Sequence, residues 1–304
     1  MSVGVVDSGA TVLHAVTGRS LGLTTEELLS ALERELLTAL DAHPEAVAVG
    51  LGIPCTIDRE RGVAINAVNL PIVDVPIRDL IHERTGMPVF VDNDANVAVL
   101  AEHLYGAARA ARNVVLLTLG TGIGGGLIVD GQVYRGSTGA GAELGHMVVD
   151  LDGPECQGSC PSHGCLESVA SGTALAREGI EQAARIPRSA LGEMLSGGAE
   201  IDARAVVAAA GDGDEAGCAA VTAVGSRLGT GLADLANIFE PDVIVIGGGA
   251  AAAGDLLLDP ARAELRARAL PPQNRTPVLP AQLGPDAGMI GAAAMALIEL
   301  EGEG

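Results

Sequence analysis

Leu28, Leu32, Leu36 and Leu40 recur every fourth residue between Thr24 and Ala42, and Thr24 with Glu27 has the spacing of a capping box, so this stretch predicts an amphipathic helix. The next run, AVAVGLGIP from Ala46 to Pro54, is apolar without helical spacing and predicts a buried strand. Pro76 to Arg84 predicts a short helix with proline at its start and Gly86 past its end. PVFVD, Pro88 to Asp92, predicts a further strand, and Ala95 to Tyr105 returns to helical spacing. NVVLLTLG from Asn113 predicts a strand, and LIVDG from Leu127 with QVYRG from Gln132 predicts a hairpin around Gly131. Long helices are expected over Leu166 to Glu178 and Glu215 to Ile238, then a strand in DVIVIGGG from Asp242. Strands alternating with helices predict an α/β protein. A chain of 304 residues exceeds what one core usually holds, so two lobes are expected, a small one over 1–110 and a large one over 111–304.

Composition narrows the partners. A formal charge of −21 with no Lys/Arg cluster repels phosphate backbones, which excludes nucleic acid as an expected partner. The longest apolar runs, such as Gly288 to Leu300, fall short of the roughly 20 residues a membrane helix needs, and no leader pattern opens the chain, so a cytoplasmic protein is expected. Aromatics make up 1% of residues, so the core must be built from Ala, Val, Leu and Ile.

Three of the five cysteines crowd into CQGSCPSHGC, while Cys55 and Cys218 stand alone and read as small core residues. Zinc takes thiolate and imidazole in a tetrahedron, and Cys156, Cys160 and Cys165 with His146 ten residues upstream offer four ligands. His163 is a rival ligand. A site with four protein ligands is closed, so a zinc ion here is structural and activates no water.

Two glycine runs follow apolar strands. GTGIGGG includes Gly120, Thr121, Gly122, Gly124 and Gly125, and lets backbone amides approach an anion; alone it also fits a plain glycine-rich turn. Gly247, Gly248 and Gly249 follow DVIVI, where α/β sheets receive ligands at strand ends, and equally fit close helix–strand packing. Together they point to a nucleotide with phosphates. In VDNDAN, Asp94 stands at a strand end before a helix: it reads either as a helix cap or as a general base oriented by Asn93.

VDNDANVAVLAEHLYGA, LGTGIGGGLIVDGQVYRG, GAELGH, CQGSCPSHGCLES and EPDVIVIGGG, in this order, resemble the ROK family of sugar kinases and repressors, its bacterial glucokinase branch above all. The resemblance covers nearly the whole chain. It implies an actin-like ATPase, ribonuclease-H-like fold with two lobes around a cleft, the last helix packing back toward the small lobe. It also implies ATP with Mg²⁺ as cosubstrate, a structural Zn²⁺, a hexose substrate with glucose first, and a homodimer. By motif, Asp94 is the implied base for the sugar 6-hydroxyl, and Asn93 and Asn69 the implied hydroxyl binders. Glu143, His146 and Glu167 are implied to grip the other hydroxyls, with His146 also a metal ligand. The metal then acts by preorganising the sugar pocket.

The chain departs from the family pattern in three places. The cysteine spacing is longer than the usual Cys-x-Cys-Gly-x-x-Gly-Cys. Cys55 stands where Gly-Ile-Pro-Gly is common, and puts a side chain on the hinge or sugar side of the cleft. The opening Asp-x-Gly-Gly-Thr phosphate loop is missing in its usual form. Asp7-Ser8-Gly9-Ala10-Thr11 can be read as that loop, or SVGVVDSGATVLHAVT can be read as the hairpin that follows it; the second reading restores the usual distance to the helix at Thr24 and is preferred. On it the small lobe lacks its first strand and phosphate loop, and the 304-residue chain is expected to be a weak or inactive kinase. A sugar-binding protein without catalysis, or a kinase for N-acetylmannosamine, mannose or fructose, are the alternatives. A repressor is not expected, because no segment here matches a winged helix-turn-helix.

Overall fold

The computed structural model describes residues 1–67, 70–158 and 160–302. These divide into two compact units. Unit 1 comprises Met1–Ala110, Gln132–Ala142 and Gln282–Gly304; unit 2 comprises Ala111–Gly131 and Glu143–Ala281. Each is α/β. No helix among the described residues is long and apolar enough to cross a membrane.

Unit 1 opens with strands β1 (Ser2–Val6) and β2 (Val12–Thr17), paired antiparallel. The turn between them, Asp7–Thr11, is compatible with either reading of these residues. Asp7 Oδ1 accepts from the amides of Gly9 (2.9 Å) and Thr11 (2.8 Å) within it. Helix α1 (Thr25–Ala42) starts at the Thr24 capping box, with both reciprocal bonds present, and buries Leu28, Leu29, Leu36 and Ala39. Strand β3 (Val49–Ile53) begins later than its apolar run and pairs in parallel with β7 (Val89–Asn93). Between them, β4 (Thr56–Asp58), β5 (Val63–Asn66) and β6 (Val73–Val75) make a small antiparallel sheet that the apolar pattern does not reveal. Helix α2 (Ile77–Thr85) stops at Gly86, whose left-handed φ of 69° lets its amide reach the His82 carbonyl at 2.7 Å.

Helix α3 (Asp94–Tyr105) follows β7 directly. The last helix of the chain, α10 (Ala287–Gly302), belongs to this unit and packs Ala292 and Met295 on Val97 and Leu100 of α3. The fully buried Glu102 carboxylate holds the incoming C-terminal segment, accepting from the amides of Gln282 (2.9 Å), Leu283 (2.8 Å) and Ala107 (2.8 Å). A cavity of about 290 Å³ lies between β1 and β3, with α1 and α10 residues completing its apolar walls.

In unit 2, β8 (Val114–Leu119) lies between antiparallel β9 (Ile123–Val129) and parallel β11 (Val243–Gly247), with β12 (Val278–Pro280) parallel beyond. β8 and β11 are near-continuous apolar runs because both faces are covered. Strand β10 (Gln132–Val133) is part of unit 1. The covering helices are α4 (Leu166–Ala170), α5 (Gly172–Arg185), α6 (Ala190–Ser196), α7 (Ala203–Gly211), α8 (Glu215–Phe239) and α9 (Asp255–Arg268). The single helix expected from Leu166 to Glu178 is two. Ser171 breaks it in extended conformation (ψ 175°) and caps α5 by accepting from the Ala174 amide.

Candidate active site

In unit 1 the site grows from the end of β7. Asn93, not Asp94, caps α3: its Oδ1 accepts from the amides of Ala95 (2.8 Å) and Asn96 (3.3 Å), and its Nδ2 donates to the Cys55 carbonyl at 3.3 Å. Asp94 is thereby released from capping and becomes the first helical residue, with Oδ1 3.0 Å from the Ala95 amide. Asp94 is open to solvent along one side, yet protein atoms crowd the rest of its carboxyl. That burial raises its pKa, against the lowering pull of the Ala95 and Asp94 amides and of the Asn93 side chain. Open solvent on one side moderates the shift, but its direction suits a base that must ionise and then accept a proton. Cys55 turns inward. It is 6% exposed, and burial first, the Asp94 charge second, push its thiol up to about 12, so it stays neutral. Its side chain joins the core cluster of unit 1. Asn69 lies outside the described residues.

In unit 2 the glycine run is not one loop. The turn is confined to Gly120–Gly122, closed by the Gly120 amide on the Gly122 carbonyl at 2.9 Å, while Gly124 and Gly125 lie inside β9 opposite Thr118 and Leu117. The turn carries Glu167 on its back. Glu167 is 9% exposed, and its Oε2 accepts from the Ile123 amide at 2.8 Å in the space left by the absent Cβ of Gly122. Its Oε1 lies 3.7 Å from Cys156 Sγ.

That sulfur belongs to the metal-ligand quartet. His146, Cys156, Cys160 and Cys165 each place a ligand atom within 4.8 Å of the others, with His146 Nδ1 3.5 Å from Cys156 Sγ and Cys160 Sγ 3.9 Å from Cys165 Sγ. Zinc bonds of about 2.3 Å to sulfur and 2.0–2.1 Å to nitrogen give a tetrahedron with edges of roughly 3.5–3.8 Å, so these separations fit a single ion. His163 is outside the quartet; its backbone bridges to Glu155. Burial first, and neighbouring thiols second, push the Cys156 thiol up, so taking up a cation means expelling a proton. Glu143 caps the short turn Leu144–His146 and sits with Oε2 3.9 Å from His146 Nε2.

Three residues missed by motif reading tie these parts together. Gln157, inside the cysteine loop, donates to the Thr121 carbonyl and to Ser171 Oγ, both at 3.2 Å. Thr173 Oγ1 donates to the same Thr121 carbonyl at 2.8 Å. The Gly172 amide donates to the Gly120 carbonyl at 2.8 Å. A cleft of about 660 Å³ opens beside this turn, lined by Gly120, Thr121, Thr173, Ala203, Arg204 and Gly249 among others. Of the second glycine run only Gly249 reaches it. Gly247 ends β11, and Gly248, at φ 86°, packs on the Leu119 backbone so closely that a Cβ would come within 2.5 Å.

Unit 2 thus places a glycine turn and a cleft at the end of β8 in a mixed sheet, and unit 1 a crowded carboxylate at the start of a helix, parts that suit anion binding and proton transfer respectively. The comparisons narrow this. The ROK family profile matches residues 1–299, and the chain belongs to the ROK family. It is 38% identical to a glucokinase of Thermotoga maritima over 298 residues, 97% of this chain and 93% of that protein. It is 37% identical to a glucokinase of Streptomyces coelicolor over 306 residues, covering 97% and 94%. A solved structure of a ROK family glucokinase from Streptomyces griseus in complex with glucose and AMPPNP superposes with a TM-score of 0.86 at 35% identity, covering 97% of this chain and 95% of that one. A xylose repressor of Bacillus subtilis is 26% identical over 90% of this chain and 67% of its own length.

Proposed function

We infer that the protein is an ATP-dependent hexose kinase that phosphorylates glucose on its 6-hydroxyl. The observation that carries this is the likeness, across 97% of the chain, to a glucokinase holding glucose and a nucleotide analogue, in a chain that retains Asp94 at the start of α3.

In this reading Asp94 accepts the 6-hydroxyl proton as that oxygen attacks the γ-phosphorus of MgATP; the bond to the β,γ-bridging oxygen breaks, ADP leaves, and the proton passes on to solvent. The helix start favours the ionised carboxylate before the step, and crowding favours the protonated acid after it. Asn93 orients the turn through its cap; Asn69 is a hydroxyl binder. Glu143, His146 and Glu167 take the remaining hydroxyls, carboxylates suiting sugars because each oxygen accepts hydrogen bonds from neutral donors. The amides of Thr121, Gly122 and Gly249 receive phosphate oxygens, while that of Gly120 closes the turn, and the cleft beside them takes the nucleoside.

The quartet His146, Cys156, Cys160 and Cys165 holds one structural Zn²⁺. The ion supplies no Lewis acidity to the reaction; it fixes the loop from which Glu167 projects, one residue past Leu166 and two past Cys165. A cytoplasmic homodimer feeding glucose 6-phosphate to glycolysis completes the reading.

The test is a coupled ADP-release assay over glucose, mannose, fructose and N-acetylmannosamine. Turnover on glucose with the highest kcat/KM supports the reading. Glucose binding without ADP release would favour the sugar-binding alternative, which the likeness to xylose repressors also fits.

A further inference from the structure

Asp92 precedes the Asn93–Asp94 step and is 2% exposed. A carboxylate so buried requires compensation on both oxygens. Its Oδ2 lies 2.6 Å from Arg135 Nε and 3.6 Å from Arg59 Nε, and its Oδ1 accepts from the Asn93 amide (2.8 Å) and from Asn96 Nδ2 (2.9 Å). The two arginines are themselves braced. Arg135 donates to the Val133 carbonyl at 3.3 Å and its own carbonyl takes the Gly141 amide at 2.9 Å; Arg59 pairs with Glu299 of α10 at 2.6 Å. All of these residues belong to unit 1.

The Asp94 carboxyl, by contrast, is held by its immediate chain neighbours, the Ala95 and Asp94 amides and the Asn93 side chain, so its place is set by the backbone that carries it. That backbone is gripped through Asp92: one oxygen holds the amide of Asn93 and the first turn of α3, the other is held by Arg135. We propose that Asp92 and Arg135 form a positioning pair for the phosphoryl-transfer step, fixing the Asn93–Asp94 turn so that the base is presented in reactive geometry. Neither residue touches the reacting atoms. The inference rests on Asp94 being the base. A displacement of the order of 1 Å at such a group costs up to about 10²-fold in rate while leaving substrate affinity in place.

The experiment uses the full chain and four variants, Asp92→Asn, Arg135→Gln, Arg135→Lys and Asp92→Asn with Arg135→Gln, with kcat and glucose KM measured under saturating MgATP and folding followed by thermal melts. Arg135→Gln is expected to lower kcat about 10- to 100-fold with glucose KM within about threefold. Arg135→Lys, which keeps a cation against Asp92 and guards against a failure to fold, should regain part of that loss. The double variant should be no slower than the worse single one by more than about twofold, because both residues act through one carboxylate. Two results would overturn the pair: Arg135→Gln that melts earlier but turns over at the wild-type rate when folded, or single losses that multiply in the double variant. Asp94→Asn at the wild-type rate would remove the base reading and the pair together. Arg135→Gln at the wild-type rate beside a dead Asp94→Asn would remove the pair alone.

Discussion

The Glu167 carboxylate occupies the space that a side chain on Gly122 would need, and from there it accepts the Ile123 amide at 2.8 Å. The glycine of the Gly120–Gly122 turn and the buried acid beside the cysteine loop are therefore one fitted pair. Gly122→Ala should push Glu167 out of place and raise glucose KM by about tenfold or more, since truncating or misplacing a charge-assisted contact costs on the order of 1.5–3 kcal/mol. Glucose titrations by calorimetry check this; an unchanged affinity would separate Glu167 from sugar binding.

Asp94→Asn should lower kcat by about 10²–10⁴, the usual worth of a general base, with glucose affinity held within about tenfold. Steady-state kinetics with a binding measurement on the same preparation decide it.

The pH dependence has a definite sign. Burial raises the Asp94 pKa, and only the ionised carboxylate can take a proton, so kcat/KM should fall as pH drops through a midpoint above the ordinary carboxylate value of about 3.9. Stability runs the other way. A raised folded-state pKa gives a contribution present below the unfolded pKa and lost as pH rises through the folded one, so at neutral pH the ionised Asp94 adds nothing to the fold. Asp94→Asn should accordingly melt no earlier than wild type at pH 7, and a lowered Tm there would contradict the assigned direction.

Purified protein should carry about one zinc per chain, and cobalt substitution should give the absorption of a tetrahedral thiolate site. Cys165→Ser should lose the metal and, with it, glucose binding, because Glu167 is two residues on. His163→Ala should keep the metal; its loss there would exchange the two histidines.

Glu102→Ala would leave the amides of Gln282, Leu283 and Ala107 without partners inside unit 1. Gln282 is exposed and Leu283 and Ala107 are partly so, hence water can reach some of these amides, and the variant should be destabilised by about 1–3 kcal/mol, read as a lower midpoint in urea.

Local signals in the chain were readable and distant ones were not. The Thr24 capping box, the Gly86 stop and the strand-to-helix passage at Asp94 depend on residues within a few positions of one another, and all three are in the structure. The metal quartet was legible from cysteine spacing, but the choice of His146 over His163 depends on which imidazole the fold brings within reach of the three thiols, which spacing does not encode. Asn93 took the cap that Asp94 could equally have made: its side chain accepts from both the Ala95 and the Asn96 amides, whereas Asp94 shares only the first of these. The break at Ser171 hides in helical periodicity, since its cause is the contact of Gly172 with Gly120, far away in the chain. Asp92 with Arg135, and Glu102 with Gln282, are likewise pairs whose separation in sequence leaves no local trace.

Beside the cavity between β1 and β3, neither strand has a ladder partner on that side among the described residues, whereas β8 and β11 are flanked on both. Amide hydrogens on β1 and β3 should therefore exchange with deuterium well before those of β8 and β11. The strand that ends in Asn93 is β3's only ladder neighbour among the described residues. On warming, then, the β3–β7 pair that leads into Asp94 would loosen while the sheet around β8 is still intact, and on the proposed role of Asp94 turnover should fade at a temperature below the calorimetric melt.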